Sequence, residues 1–449
     1  MNRLSGALLL PLMVLVCWLL AICALADSQA RIVRLSDVRG SVQIDQATGH
    51  GYEKAFLNVP IRQGMTIKTG ADARAEVEFE DGSLIHLTPD AVVQFTTLSL
   101  SDSGGKISTV AVQQGQAYFN FSGKKDEEFA VTFGNEKAKP TPPAHFRVNV
   151  KDTGALLAVF KGVVPVGGPS GEVEVDKQQT SIFEFSNAGH SVLTQSVAED
   201  PSDAWDQEQI EYHEQYRAKS SYSGYPYVYG QSDLNYYGSF TNVAGYGSCW
   251  QPYFTGMGWN PFMDGAWMLD PTSGYNWVSA YPWGWMPYHY GSWMYAGGGS
   301  GWCWLPGNAW IPYYVPVINP TPLATRGYAP PHPPAAGGGR IVPVGRGLTS
   351  STLANNAQES VLEANPGDAG LSIPRGVGDL EGLNHDFVRY GQVRIPVSEP
   401  RLSGPNTTAM PLVPVAPHAP TAGQGRTGSS KGQVNIPPPV PPVQTAPPK

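Results

Sequence analysis

Arg74-Ala-Glu-Val-Glu-Phe-Glu-Asp-Gly-Ser-Leu-Ile-His-Leu87 is the stretch that decides the fold of this 449-residue chain. Ala75, Val77 and Phe79 alternate with Glu76, Glu78 and Glu80, the period-two pattern of a strand with one apolar face. Two registers are open to the turn that follows. A two-residue loop, Asp81-Gly82, pairs Phe79 with Leu84 and Val77 with His86, which sets a histidine on the apolar face. A three-residue loop, Glu80-Asp81-Gly82, pairs Val77 with Ile85 and Ala75 with Leu87, and it puts Gly82 at the left-handed position such a loop needs. A one-residue slip turns every side chain to the other face, so the matched apolar faces predict the three-residue loop.

Outward from this hairpin, short apolar runs recur. Strands are predicted at Ser41–Asp45, Met65–Lys68, Ile107–Gln113, Gln116–Phe121, Phe129–Phe133, Phe146–Val150, Leu156–Phe160 and Val163–Val166, with Gly115 and Gly162 at turns between them. That spacing describes an all-β sandwich or roll around one apolar core, spanning residues 31–189.

The same residues carry a resemblance. Arg39-Gly-Ser-Val42, Arg62-Gln-Gly-Met-Thr-Ile-Lys-Thr-Gly70, Arg74–Ser83, His145-Phe-Arg-Val-Asn-Val150 and Ala158-Val-Phe-Lys-Gly-Val-Val164 resemble, in order, a FecR domain. The resemblance covers about 130 residues and implies an extracytoplasmic β-module, which in the best-known members relays a signal to a cytoplasmic sigma-factor system. Those regulators carry a cytoplasmic region ahead of their membrane span. Here only Met1–Arg3 precedes the apolar run Leu4–Ala26, so the expected role departs from theirs.

That apolar run ends in Ala24-Leu25-Ala26 and reads as a secretory leader, residues 1–26. Its length, about 23 residues, also suits an uncleaved N-terminal anchor. In either case the rest of the chain is expected outside the cytoplasm, periplasmic or at the cell surface. Cysteine usage fits an oxidising compartment. Beyond the leader only Cys249 and Cys303 remain, and they read either as one disulfide, on the order of 4 kcal/mol by loop entropy, or as two unrelated buried thiols.

Asp203 to Arg217 lacks Gly and Pro, and Trp205, Gln209, Tyr212 and Tyr216 fall on one helical stripe, so residues 200–220 are expected to hold one helix started by Ser202 or Asp203. The helix either packs on a neighbouring module or links two of them. Residues 221–318 follow as an aromatic module with ten of the twelve tryptophans. Gly258-Trp-Asn-Pro-Phe-Met-Asp-Gly-Ala-Trp267 recurs as Gly284-Trp-Met-Pro-Tyr-His-Tyr-Gly-Ser-Trp293, and Tyr237-Gly-Ser-Phe240 repeats its end. A helix followed by such repeats is similar to the C-terminal half of a group of exported FecR-domain proteins, a region without established function.

The repeats allow two readings. In one, each unit is a short β-hairpin and tryptophan replaces scarce aliphatics as core. In the other, Trp259, Trp267, Trp285, Tyr288, His289 and Trp293 offer faces that stack on sugars or partner side chains. A module of about 70 residues is too small to bury ten indoles, so some are expected at the surface. Residues 319–449 are rich in Pro and Gly and are expected to form a disordered, extended tail, with His385–Pro396 as a possible strand or docking segment.

Chemistry is sparse. No H-E-x-x-H, C-x-x-C or G-x-S-x-G occurs, so neither a metal, a cofactor nor an enzymatic activity is expected. Charged residues make 15% of the chain and the net charge is -8, which argues against nucleic acid as a partner. The expected protein is mainly β, exported and non-enzymatic, and it binds an envelope polysaccharide or envelope protein, touching the membrane only if the leader stays. A FecR-type sensor of envelope signals is the second reading, and a cell-wall hydrolase the third.

Overall fold

A computed structural model describes residues 31–396, except 32, 124–126, 170, 187–190, 220–228, 257, 272–273, 297–300, 312–316, 319–331, 336–337, 349–360, 365–366 and 391–392. The expected leader and the residues after 396 lie outside the described residues. Among the described residues no helix is long and apolar enough to cross a membrane.

The deciding hairpin forms in the register with matched apolar faces. Ala75 pairs with Leu87 and Val77 with Ile85, while Glu76 faces His86. The Phe79 N–H donates to the Ser83 carbonyl at 2.9 Å, and Gly82 sits at φ 83°, which closes the three-residue loop. The hairpin lies inside a large, mostly antiparallel sheet system between strands Val33–Arg39 and Lys106–Phe121. Val33, Leu35, Ile67, Ile85, Val110 and Phe119 are among the side chains that fill its single core.

Two long strands turn corners, and here the expectation needs correction. Gly115 and Gly162 are not turns between strands. They are bends within the continuous strands Lys106–Phe121 and Gly154–Gly168. Before Gly115 the first strand pairs with Val92–Leu100 and with Glu128–Phe133; from Gly115 onward it pairs with Thr141–Lys151 and Leu84–Leu87. The second changes partner from Thr180–Glu184 to Gly171–Asp176 across Gly162. A strand that leaves one set of partners for another needs one residue in the left-handed region, and these glycines stand at φ 74° and 80°. A Cβ on Gly115 would lie 2.5 Å from the Asp90 carbonyl oxygen, so only glycine fits.

Helix α1, Asp203–Ala218, follows the sheet. Ser202 occupies its N-cap without a side-chain hydrogen bond; instead Asp200 takes the Ser202 N–H at 2.9 Å, and Asp203 reaches back to the Asp200 N–H at 2.8 Å. Trp205, Gln209, Tyr212 and Tyr216 are buried, and so are Asp206 and His213, so the helix is packed rather than a solvated linker. A short helix α2, Gln231–Tyr237, opens the aromatic region and was not signalled by the repeats.

Three hairpins then follow: Gly238–Val243 with Gly247–Pro252, Gly265–Asp270 with Gly274–Ser279, and Ser292–Ala296 with Gly301–Leu305. A helical turn α3, Met286–His289, precedes the third. Met268 and Val278 of the second hairpin join the core of the first sheet. Cys249 and Cys303 form a disulfide between the first and third hairpins, with Cα atoms 5.8 Å apart.

The expectation of a disordered tail over residues 319–449 needs correction for its described part, while residues 397–449 lie outside the described residues. Strand Ile341–Val344 adds to the second hairpin through Gly265–Met268. Further on, Val361–Ala364 pairs with Val393–Pro396, and between them lies α4, Leu380–Tyr390. The segment His385–Pro396 is therefore the end of a helix followed by a strand. Among the described residues of this region, Ala369, Ile373, Leu380 and Leu383 are buried in the aromatic core.

Candidate functional site

The repeat has a structural logic. In each hairpin the unit's closing aromatic faces a tryptophan on the return strand: Phe240 with Trp250, Trp267 with Trp277, Trp293 with Trp304. The glycine two residues earlier leaves room for the return strand. A Cβ on Gly238 would lie 2.4 Å from the Trp250 ring, and one on Gly265 would lie 2.5 Å from the Trp277 ring. Tilted ring packing continues between units, with Trp283 4.9 Å from Trp250 and 5.9 Å from Trp293.

This arrangement places all six proposed stacking residues together, but inside. Trp259, Trp267, Trp285, Tyr288, His289 and Trp293 are each at most 5% exposed. They offer no face to a sugar, so the stacking assignment is corrected to a core role. Of the ten tryptophans of the region only Trp310 is more than slightly exposed, and it is half-buried. The module buries so many rings because it is larger than expected: α1, α2 and residues 367–386 also cover them.

The polar ends of these side chains mostly find partners within the protein. Trp259 donates its indole N–H to the Tyr281 hydroxyl at 2.9 Å, and Trp304 donates to the Tyr290 carbonyl at 2.6 Å. Tyr288 of the second full unit donates its hydroxyl to the Pro261 carbonyl of the first. His289 stacks on Trp310 with centroids 4.2 Å apart, and burial pushes its imidazole down to about 4. At neutral pH it is therefore uncharged, and its Nδ1 lies 3.1 Å from the Ile311 carbonyl.

A second cluster escapes a reading based on repeats. The carboxylates on the outward face of the deciding hairpin, Glu76 and Glu78, are fully buried beneath α1 and α2. Glu78 takes the Arg34 guanidinium at 2.7 Å and the Gly230 N–H. Glu76 accepts from Ser36 at 2.6 Å, from His213 at 2.9 Å and from Arg375 at 2.7 Å. Asp233 lies between Arg34, Arg375 and the Tyr212 hydroxyl. Asp206 holds His86 at 2.6 Å and His145 at 2.7 Å.

Burial by itself would lower the His86 pKa, but the hydrogen bonds and charges of Asp206 and Glu76 outweigh it and raise the pKa to about 9. Burial would likewise raise the Glu76 carboxyl; His213 and Arg375 instead hold it well below the ordinary carboxylate range. Desolvated charges of this kind are tolerated only when each has a partner, and here every carboxylate has at least two. The alternation of the hairpin signals a polar face at Glu76 and Glu78, yet the residues that cover it come from more than 100 positions away.

The comparisons with known proteins divide the chain in the same way. Residues 65–165 match the family described as FecR protein, and residues 231–334 match a family of unknown function, DUF6600. Two crystal structures of a "putative anti-sigma factor from Parabacteroides distasonis ATCC 8503", at 1.65 and 2.50 Å, are 24% and 23% identical to the chain. Each match covers 32% of this chain and 64% of the other, with a TM-score of 0.28. The chain thus spans less than two thirds of that protein. No curated protein matches. With its sheet, its register and its second half accounted for, the chain is a FecR-domain protein that carries a DUF6600 region behind that domain.

Proposed function

We propose that this chain is a non-enzymatic protein of the cell envelope that works through protein–protein contact, in an envelope sensing or signalling role. The FecR domain supports the setting. The observation that carries the mode of action is an apolar strip at one end of its sheet. Strands Thr180–Glu184 and Ser191–Thr194 form the outer hairpin there, and Ile182, Phe185, Val192 and Leu193 are each 36–42% exposed. Ile182 and Val192 are directly paired, so their side chains share a face. Phe185 also lines a cleft of about 450 Å³, together with Val112, Phe133, Lys151 and Asp152.

An end strand with exposed apolar residues is a template for an added strand, and proteins that do not use such an edge protect it with charge or proline. With the tryptophans buried, this strip takes the place of the aromatic repeat as the candidate contact surface, and the expected partner is a protein rather than a polysaccharide. Photo-crosslinking tests it. A benzophenone amino acid at Val192, in cells, should give a discrete protein adduct, while the same group at exposed Tyr246 should not. Equal labelling from both positions, or none from Val192, would rule the strip out.

A further inference from the structure

Residues 367–383 lie across the aromatic module in the manner of a bound peptide. The Trp283 indole N–H donates to the Ala369 carbonyl at 2.7 Å, the Tyr237 hydroxyl to the Ile373 carbonyl at 2.8 Å, and the Val377 N–H donates to the Tyr236 hydroxyl at 3.0 Å. The Gly367 N–H donates to the Phe254 carbonyl at 2.9 Å. These bonds all involve the backbone of the segment, which runs as successive turns with Gly367, Ala369, Gly370, Gly376 and Gly378 at positive φ.

Specificity comes from one side chain. Arg375 enters the buried carboxylates, donating to Asp233 through Nε and Nη2 at 2.8 and 2.9 Å, to Glu76 at 2.7 Å and to the Ser36 carbonyl at 2.8 Å. Its guanidinium also lies 5.1 Å from the centre of the Tyr212 ring. Ala369 and Ile373 fill apolar positions on the same path.

Two further features set this segment apart from the module it covers. Its flanking strands, Val361–Ala364 and Val393–Pro396, pair with each other and form a two-stranded sheet of their own, and among the described residues neither joins the other sheets. The groove also keeps its charges matched without Arg375. Asp233 retains Arg34 and Tyr212, and Glu76 retains Ser36, His86 and His213. Emptying it strands no carboxylate.

We propose that the surface formed by Tyr236, Tyr237, Phe254, Trp283 and the carboxylates Glu76 and Asp233 is a peptide-binding groove. Its ligand class is a turn-forming peptide carrying one arginine, and residues 367–383 are its built-in occupant, exchangeable for a peptide offered in trans. The inference is independent of any signalling role, since it concerns a different face from the strip at Val192.

The test uses the full chain with a protease recognition site inserted after Ser351 or, in a second version, after Ala357. The version whose uncut melting curve matches the parent is cut and passed over a sizing column. The C-terminal fragment should stay bound. A fluorescent synthetic peptide covering residues 361–396, in excess, should then displace it and co-elute with the remainder. The same peptide with Arg375→Ala should compete about 100-fold less well or worse, as expected for a charge-assisted anchor in a buried site. A fragment that never exchanges under native conditions would make the segment an integral part of the fold and overturn the proposal. So would a fragment that leaves and does not rebind, or an Arg375→Ala peptide that competes as well as the parent.

Discussion

The FecR domain and the aromatic module solve the same problem with different materials. The first fills its core with aliphatic and phenylalanine side chains that carry no polar atoms and asks only for the right volume. The second fills its core with indoles and phenols, each of which brings a donor that needs an acceptor. Four of its tryptophans, Trp250, Trp259, Trp283 and Trp304, donate to oxygen atoms of the protein. The indole nitrogens of Trp277, Trp285 and Trp293 have no partner among the described residues. An aliphatic core tolerates exchange of shapes at constant volume, whereas an aromatic one is tied together by directed bonds. The difference predicts that the module is the more brittle half.

The largest effect should come from Trp283→Ala. Its ring stacks on Tyr281 at 4.8 Å and its N–H reaches the segment at Ala369, so about 3–5 kcal/mol should be lost in chemical denaturation. Ile85→Ala in the aliphatic core, at roughly 2–5 kcal/mol, is the matched control, and a Trp283→Ala loss well below it would reverse the comparison. Next comes the disulfide. Replacing Cys249 and Cys303 together by serine opens a crosslink between residues 54 apart and should cost about 4 kcal/mol. The loss should appear as early melting of tryptophan fluorescence, and a shift of the whole far-ultraviolet signal in step with it would show the two halves unfolding as one.

The smallest effect is a pH dependence where the halves meet. Burial works against the His86 proton, yet its carboxylate partners raise the pKa to about 9, above the roughly 6.5 of an unfolded histidine. The folded state therefore holds the proton more tightly. That contribution, on the order of 3 kcal/mol, is full below about pH 6.5 and disappears as pH climbs through 9. Glu76, Asp206 and Asp233 are lowered in spite of their burial, so theirs is present above the ordinary carboxylate range and lost in acid. Melting temperature between pH 5 and 10 should fall at the alkaline end, and His86→Gln should flatten that fall. An unchanged alkaline limb in the variant would assign it to other groups.

Much of the first half was legible because its information is local. Period-two alternation and one glycine determine the Arg74–Leu87 register, and the structure reproduces it pair by pair. The bends at Gly115 and Gly162 were read as turns because a positive-φ glycine looks the same in sequence whether the chain reverses or only changes partner. The second half was legible as a repeat of hairpins, but exposure was not. Whether Trp250 or Trp283 faces solvent depends on α2 and on the segment at Ala369, and nothing in the repeat itself names them. The joint was hidden for a similar reason. Glu76 and Glu78 read as the wet face of a strand until Asp233, His213 and Arg375 are brought to it from far along the chain. Averaging composition over a long tail likewise masked Asp368–Leu383, a stretch with the apolar residues and the arginine to dock.

The position of that stretch in the chain has a consequence in time. Synthesis runs from the N-terminus, and domains fold as they emerge. The sheet with Glu76, the helix with Asp233 and the three hairpins all exist before Arg375 does. For that interval the groove is complete and vacant, and the chain's own segment arrives last, as one contender among whatever peptides are already there.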